Sequence, residues 1–478
     1  MKLTRFLQVT FVLCVIAAAC VIPWGYIDWY DNVVINEMAR GGITGKLNVW
    51  TVVSTGRPQL DSQTWAIYYL GGWFVERAYC LMGHWGPRIL MLVAQVLASL
   101  LCVRYLRFKT GKTAWAWLLG LLYLTIPLIQ VSVRSARVDA LSLLFVWAAL
   151  CLLQGGERRR GLWWTDALAG GLFAAAVFTW ISAVMVAPLL LWEWIERQQA
   201  EGASVRKVVE SLSATAAGAG LMAIVLLSPF LLEWQTTLAN FQATLAYNTA
   251  ESKGAFLGKK FILLAAGFPG FMLFGMVLLF TRRRFVVPAV GLMVCALVCM
   301  MTKVIATRFY YFLPYAMVGA GVGILLVKQI RLRQVLMAVV WVMTFASVVR
   351  TGIVRNGLDF LTRSSRDYAA VTRYLLEKVG REAAVYTDSF ELYYVGRELD
   401  WRQFRVESQD ENAVRAILEK CSWYVNGPCS LKTLPESLVL SCGFVRVGSF
   451  CTSDEITGRR ANPQLGPFVL YRREGDAQ

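Results

Sequence analysis

Histidine is almost missing from this chain: His84 is the only one in 478 residues. A Ser-His-Asp triad and a His-rich metal centre are therefore excluded in practice. Charge is scarce as well. Asp, Glu, Lys and Arg together make 17% of the residues, against about a quarter in soluble proteins. Acidic residues are fewer than basic ones, 31 against 48, for a net charge of +17. In a soluble protein that excess suggests nucleic acid. Here no RNA- or DNA-binding motif accompanies it, and the basic residues cluster in short loops between apolar runs.

What is abundant is apolar sequence, 57% of the chain. Runs of about 20 apolar residues recur through the first three quarters, each long enough to cross a bilayer as a helix. Helices are expected because lipid offers the backbone no hydrogen-bond partner. The opening MKLTRFLQVTFVLCVIAAACVIPW has the look of a signal peptide, but no small-x-small cleavage site precedes Pro23-Trp24 and many spans follow. Spans are predicted near 6–26, 87–103, 113–132, 138–154, 209–230, 261–280, 285–302, 309–327 and 334–349. The stretch 163–195, too long for one helix, reads as a helical hairpin turning near Trp180. This makes about eleven spans. Nearly every basic cluster then lies on the side of the N-terminus, which the positive-inside rule makes cytoplasmic. The expected outward segments are 27–86, 133–138, 231–260, 303–308 and the tail from about 350.

The tail changes pattern. Residues 364–379 and 411–420 read as helices, and 383–387, 422–425, 444–450 and 467–473 as short strands. The expected organisation is a membrane domain over 1–349, with its outer loop at 27–86, and a small C-terminal α/β domain over 350–478. Six cysteines, Cys14, Cys20, Cys102, Cys151, Cys295 and Cys299, fall in apolar runs as small core residues, and Cys80 falls in the outer loop. The tail holds Cys421, Cys429, Cys442 and Cys451. In an oxidising compartment two disulfides among them are expected, with the pairing open.

Charges at a membrane boundary are costly and mark function or anchoring. Asp28 and Asp31 follow the first span, then Arg57, Asp61 and Arg88. The short loop after the third span supplies Arg134, Arg137 and Asp139, and the late loops supply Lys253, Lys259, Lys260, Lys303 and Arg308. A carboxylate accepts a proton from an attacking hydroxyl, and Arg or Lys stabilises a phosphate leaving group. Against this stand plainer readings: Asp28 or Asp31 as a helix N-cap, Arg137 and Asp139 as a structural ion pair, Lys259 and Lys260 as interfacial anchors, and Arg282 to Arg284 as topological charges.

In order, spacing and sidedness these pieces resemble the GT-C glycosyltransferases, in the branch of the protein O-mannosyltransferases and the lipid A aminoarabinose transferase. YDNVVINEMARGG matches the segment after the family's first span, with Asp31-Asn32 where the family has an Asp-Glu pair. LDSQTWAIYYL matches a D-K-P-P-like phrase through Asp61. GHWGPRILML supplies Arg88, ARVDALSLLF supplies Arg137 and Asp139, and TRFYYFLPYAMVG supplies Arg308, Tyr310 and Pro314. VYTDSFELYYVGREL resembles the outer domain of many members. The resemblance implies a polytopic α-helical fold of the GT-C type with a small extracytoplasmic α/β domain. It also implies transfer of a hexose or pentose from a polyprenyl-phosphate donor, with inversion, to a lipid, glycan or protein acceptor on the outer face of a bacterial inner membrane.

By the same resemblance Asp31 would be the base and Asp139 a second acid, while Arg88 and Arg308 would bind donor phosphate or hold the site together. Asp28, Arg57, Asp61, Arg137, Lys303 and Tyr310 complete the expected substrate and phosphate set. Some relatives use a divalent metal and others do not; no obligatory metal is expected. The chain departs from the family at Asn32, at Ser62 where a Lys is usual, and at Trp180 where a hairpin Lys is common. Arg57 or a late-loop lysine is then the replacement phosphate contact. Two other functions compete: a transporter or flippase, which calls for repeats and mid-membrane charges, and a non-catalytic envelope assembly protein.

Overall fold

The computed structural model describes residues 2–24, 50–53, 69–154, 163–235, 238, 242, 270–280, 283–301, 306–387, 389, 392–406, 411–427, 434–451 and 467–475. Asp28, Asp31, Arg57, Asp61 and Lys303, together with Asn32, Ser62, Cys429 and Lys253, Lys259 and Lys260, lie outside these residues.

Helix α1 (Lys2–Val21) is followed by strand β1 (Trp50–Val53) and helices α2 (Tyr69–Met82) and α3 (Gly86–Thr110). Pro87 opens α3, where its missing N–H costs nothing. Gly111, at φ 65°, closes it in the left-handed conformation, with Arg107 and Lys109 in the last turn facing the negative end of the helix dipole. Helices α4 (Thr113–Thr125) and α5 (Pro127–Arg134) are bent by 51° at Ile126, whose ψ of 126° is the extended value the following proline imposes. Then come α6 (Asp139–Leu153), α7 (Trp163–Thr179), α8 (Ala187–Ala200) and α9 (Val205–Leu227). After these follow α10 (Gly270–Leu279), α11 (Val286–Met301), α12 (Leu313–Val318) and α13 (Ile330–Ser347).

Among the described residues five helices are long and apolar enough to span a bilayer, or six if the bent α4–α5 pair counts as one. The chain is a multi-pass membrane protein. Helices α7 and α9 pack through small residues. A Cβ on Gly218 would stand 1.8 Å from the Ala167 carbonyl oxygen and one on Gly170 2.0 Å from that of Thr215, so only glycine permits the approach. The outward faces of α9 and α13 leave Leu221, Ile224, Val342 and Phe345 uncovered, as lipid contact requires.

Two expectations about helix limits are corrected. The last span does not stop near 349: α13 continues through a π-helical stretch, Val348–Arg355, into α14 (Asn356–Leu361). The outer segment 27–86 is not all loop, because α2 occupies its end.

The C-terminal region holds α15 (Tyr368–Lys378), β2 (Ala384–Tyr386), α16 (Tyr393–Glu398), β3 (Arg402–Val406), α17 (Glu411–Leu418), β4 (Trp423–Asn426), α18 (Glu436–Ser441), β5 (Phe444–Phe450) and β6 (Phe468–Arg473). The sheet order is β1-β3-β2-β4-β6-β5, parallel from β1 to β4 and antiparallel beyond. Side chains alternate between its faces. Val385, Trp423, Val425, Phe468 and Leu470 pack with α15 and α16, whereas Tyr386, Tyr424 and Tyr471 pack with α17 and α18.

Strand β1 comes from the segment between α1 and α2, more than 300 residues before its neighbour, and pairs in parallel with β3, Val52 opposite Arg405. Hydrogen-bonded strands cannot lie on opposite sides of a bilayer, so that segment and the tail share one side. The expected pair of tail disulfides is not formed. Cys421 is a free, buried thiol bonded to the Ile417 carbonyl, and Cys442 is a free thiol beside Arg415. With those two unpaired, four cysteines cannot make two bridges.

Candidate functional site

The ends of the bundle carry different charge networks. At one end Lys109 pairs with Glu193 at 2.7 Å, Tyr105 donates to Glu193 at 2.5 Å, and Arg284 pairs with Glu196. There Arg197, near the end of α8, pairs at 2.6 Å with Asp166, at the start of α7, and Ser211 donates to the same carboxylate. The ion pair holds both ends of 163–195 together, so this region is a hairpin. Its turn lies at Trp180, whose extended backbone (φ −156°, ψ 117°) breaks the helix before a 3-10 stretch, Ile181–Val186.

The opposite end, where α5 meets α6, holds the described candidate residues other than Arg88. Arg134 closes α5, and Asp139 opens α6. The turn between them is tight: Arg137 N–H donates to the Ser132 carbonyl at 2.9 Å, and Ser132 Oγ donates to the Arg137 carbonyl at 3.0 Å. Ala136 takes a left-handed φ of 57°, a conformation costing a non-glycine residue about 1 kcal/mol or more. The turn aims Arg137 back at Asp139, Nε to Oδ2 at 2.7 Å, with both residues buried. The guanidinium carbon also stands 5.1 Å from the centre of the Trp180 ring.

A third break in helix packs here. The 3-10 stretch Ala306–Phe312 carries Arg308, Tyr310 and Tyr311 and lies against Ile181–Val186 and α5. Tyr311 sits beside Asp139 and Ser142. Tyr310 is fully buried and Arg308 partly so. Tyr315 Oη donates to the Met185 carbonyl at 2.7 Å, fastening α12 to the hairpin turn. Helix α2 closes in as well: a Cβ on Gly71 would meet the Thr179 carbonyl at 2.7 Å and Val138 at 3.2 Å. Three irregular segments far apart in sequence thus converge on the Arg137–Asp139 pair. Tyr311 and Trp180 belong to this site although sequence reasoning missed both roles. The doublet Tyr310-Tyr311 was a usable signal, because two tyrosines within an apolar run need polar partners.

Arg88 lies elsewhere. It is 1% exposed, donates weakly through Nη2 to Tyr368 at 3.4 Å, and stacks over that ring at 5.4 Å. Arg134 pairs with Asp359 and Asn356 of α14. Nearby, α2 and α3 dock the tail. Arg397 reaches both oxygens of Glu76 at 2.8 and 2.9 Å and covers the Tyr79 ring at 3.8 Å, while Tyr79 stacks on Tyr394. His84 bonds Glu398 at 3.1 Å, which explains the lone histidine as a docking residue. Among the described residues no group of three or more His, Cys, Asp or Glu side chains could hold a metal ion.

The fold is GT-C-like, the fold of ArnT. The chain is similar over 98% of its length, and 98% of theirs, to two crystal structures of ArnT from Cupriavidus metallidurans. One is bound to undecaprenyl phosphate (TM-score 0.62) and the other is in the apo state (TM-score 0.60), each at 11% sequence identity. The archaeal oligosaccharyltransferase AglB from Archaeoglobus fulgidus, in complex with an inhibitory peptide and a dolichol-phosphate, aligns over 88% of this chain and 69% of its own at TM-score 0.47 and 11% identity. No family model and no curated protein matches the sequence.

Proposed function

We propose that this chain is a glycosyltransferase that moves a hexose or pentose from a polyprenyl-phosphate carrier to a lipid, glycan or protein acceptor. The reaction takes place on the outer face of a bacterial inner membrane, with the N-terminus cytoplasmic. The catalytic membrane part runs through the α13–α14 rod to Leu361, and the extracytoplasmic part follows it. The observation that carries the reading is the buried Arg137–Asp139 pair, set where three helix breaks meet at the end of the bundle that carries the sheet. The ArnT fold, seen there with undecaprenyl phosphate, supports a lipid-linked donor.

In this reading Asp31 takes the proton from the acceptor hydroxyl. The oxygen attacks the anomeric carbon, and the bond to carrier phosphate breaks with inversion. Asp139, held on one oxygen by Arg137, is a fixed negative charge that orients the acceptor or a neighbouring cation rather than a free base. Arg308, Lys303 and Arg57 neutralise the departing phosphate, and Tyr310, Asp28 and Asp61 line the donor and acceptor. Arg88, in a niche of its own, is left out of this donor set. The test is reconstitution of purified protein in liposomes with labelled polyprenyl-phosphate sugars. Release of carrier phosphate by wild type but not by Asp31→Asn or Asp139→Asn supports the assignment. Equal release by both variants and wild type removes these carboxylates from the chemistry.

A further inference from the structure

We propose that the cleft between α1 and the α13–α14 rod is a site for one anionic phospholipid, with Arg88 as its phosphate-binding cation; this does not rest on the transferase reading. The cleft is an apolar groove of about 450 Å³ lined by Leu13, Cys14, Ala17, Ile353 and Phe360, among others. At its outer end it adjoins a polar niche, sharing Val21 and Asn356 with it, where Arg88, Gln130 and Arg134 form the wall.

Charge decides what fits. Arg134 is neutralised by Asp359. Arg88 is buried, forms no ion pair with a described carboxylate, and its Nε and Nη1 have no hydrogen-bond partner among the described residues. A buried guanidinium left in that state is expensive and calls for an anion. Among the described residues the niche carries one uncompensated positive charge, which matches a phosphodiester monoanion better than a phosphate monoester dianion. Its free space is about 10 Å³, roughly one oxygen atom, so a non-bridging phosphate oxygen enters while the rest of the headgroup stays at the groove mouth. Length agrees. Thr10 to Val21, the α1 wall of the groove, spans about 16 Å at 1.5 Å per residue, close to half of a hydrocarbon core about 30 Å thick. That suits one acyl chain of a single leaflet rather than a long isoprenoid.

The experiment is native mass spectrometry of the full chain released from phosphatidylcholine bilayers containing phosphatidylglycerol. Wild type should retain one phosphatidylglycerol in preference to phosphatidylcholine. Arg88→Gln should lose that preference by about tenfold, the scale of a charge-assisted hydrogen bond. Ala17→Phe, which fills the groove from its lipid-facing wall, should lower retention with Arg88 intact, and it carries the test if Arg88→Gln fails to fold. Equal retention of the two lipids by wild type, or unchanged retention by Ala17→Phe or by folded Arg88→Gln, would overturn the proposal. A long-chain polyprenyl phosphate that displaced the phosphatidylglycerol one for one would also overturn it, by giving the niche to the carrier. Failure to displace it supports the phospholipid.

Discussion

Arg137 and Asp139 bond each other at 2.7 Å at the end of a turn so tight that Ala136, just before them, is left-handed, and neither is open to solvent. Removing one partner strands the other charge, a loss of about 3 to 5 kcal/mol. Arg137→Met and Asp139→Asn should therefore each lower the melting temperature sharply. The double variant Arg137→Met/Asp139→Leu should recover much of that stability and none of the transfer activity. Melting curves and transfer assays on all three separate the pair's structural role from its chemical one. Activity in the double variant would leave only the structural role.

Arg397 and Glu76 are the main fastening between the sheet-bearing tail and α2. Arg397→Ala breaks a two-point, largely buried bond and a stack on Tyr79, and should cost about 3 kcal/mol. Arg397→Lys keeps the charge but loses the planar fork and should fall between. Hydrogen exchange should rise at 69–82 and 393–398 in that order of variants. Unchanged exchange in Arg397→Ala would mean that other contacts hold the tail.

The pairing of β1 with β3 makes a prediction about register. Cysteines at Val52 and Arg405, which are direct partners, should form a disulfide on mild oxidation, as neighbouring strands lie about 4.8 Å apart. Val52→Cys with Gln403→Cys, two positions out of register, should not. Cross-linking of the second pair in preference to the first would contradict the register.

Cys421, just before β4, is buried, and loss of hydration pushes its thiol from 9.0 up to about 12. The folded tail therefore keeps the proton over a range in which the unfolded chain releases it. Stability from this group is complete below pH 9 and is lost as pH rises from about 9 to about 12, at roughly 1.4 kcal/mol per pH unit. Cys421→Val should flatten that decline relative to wild type in denaturant titrations at stepped pH. Parallel declines in the two proteins would contradict the assignment.

Much of the membrane part was legible because its signals are local. Apolar runs marked α3, α6, α9 and α11, the basic ends of 163–195 marked a hairpin, and Trp180 marked its turn. Period-two patterning found β2, β4, β5 and β6. What was missed depends on partners distant in sequence. RQFRV (402–406) carries too many polar residues to read as a strand, and β1 is a strand only because β3 lies beside it. YLGGWFVERAYCLM (69–82) read as loop because Glu76-Arg77 interrupts it, yet Glu76 is satisfied by Arg397. The extension of α13 to Leu361 was hidden by two glycines, Gly352 and Gly357, and two arginines, Arg350 and Arg355; the π-helical stretch takes in Arg350, Gly352 and Arg355. At the site, Arg137 and Asp139 were named from sequence, but Trp180 looked like a departure. The structure sets its ring over Arg137, a contact no spacing rule reveals.

Sugar transfer by this chain is tested by glycan and lipid profiling of cells that carry the wild-type protein, a deletion, or Asp31→Asn at matched expression. Deletion and Asp31→Asn are expected to abolish the same sugar modification, which would also identify the acceptor. A modification lost on deletion and retained in Asp31→Asn would contradict the catalytic assignment, and no glycan change in either would contradict the transferase itself.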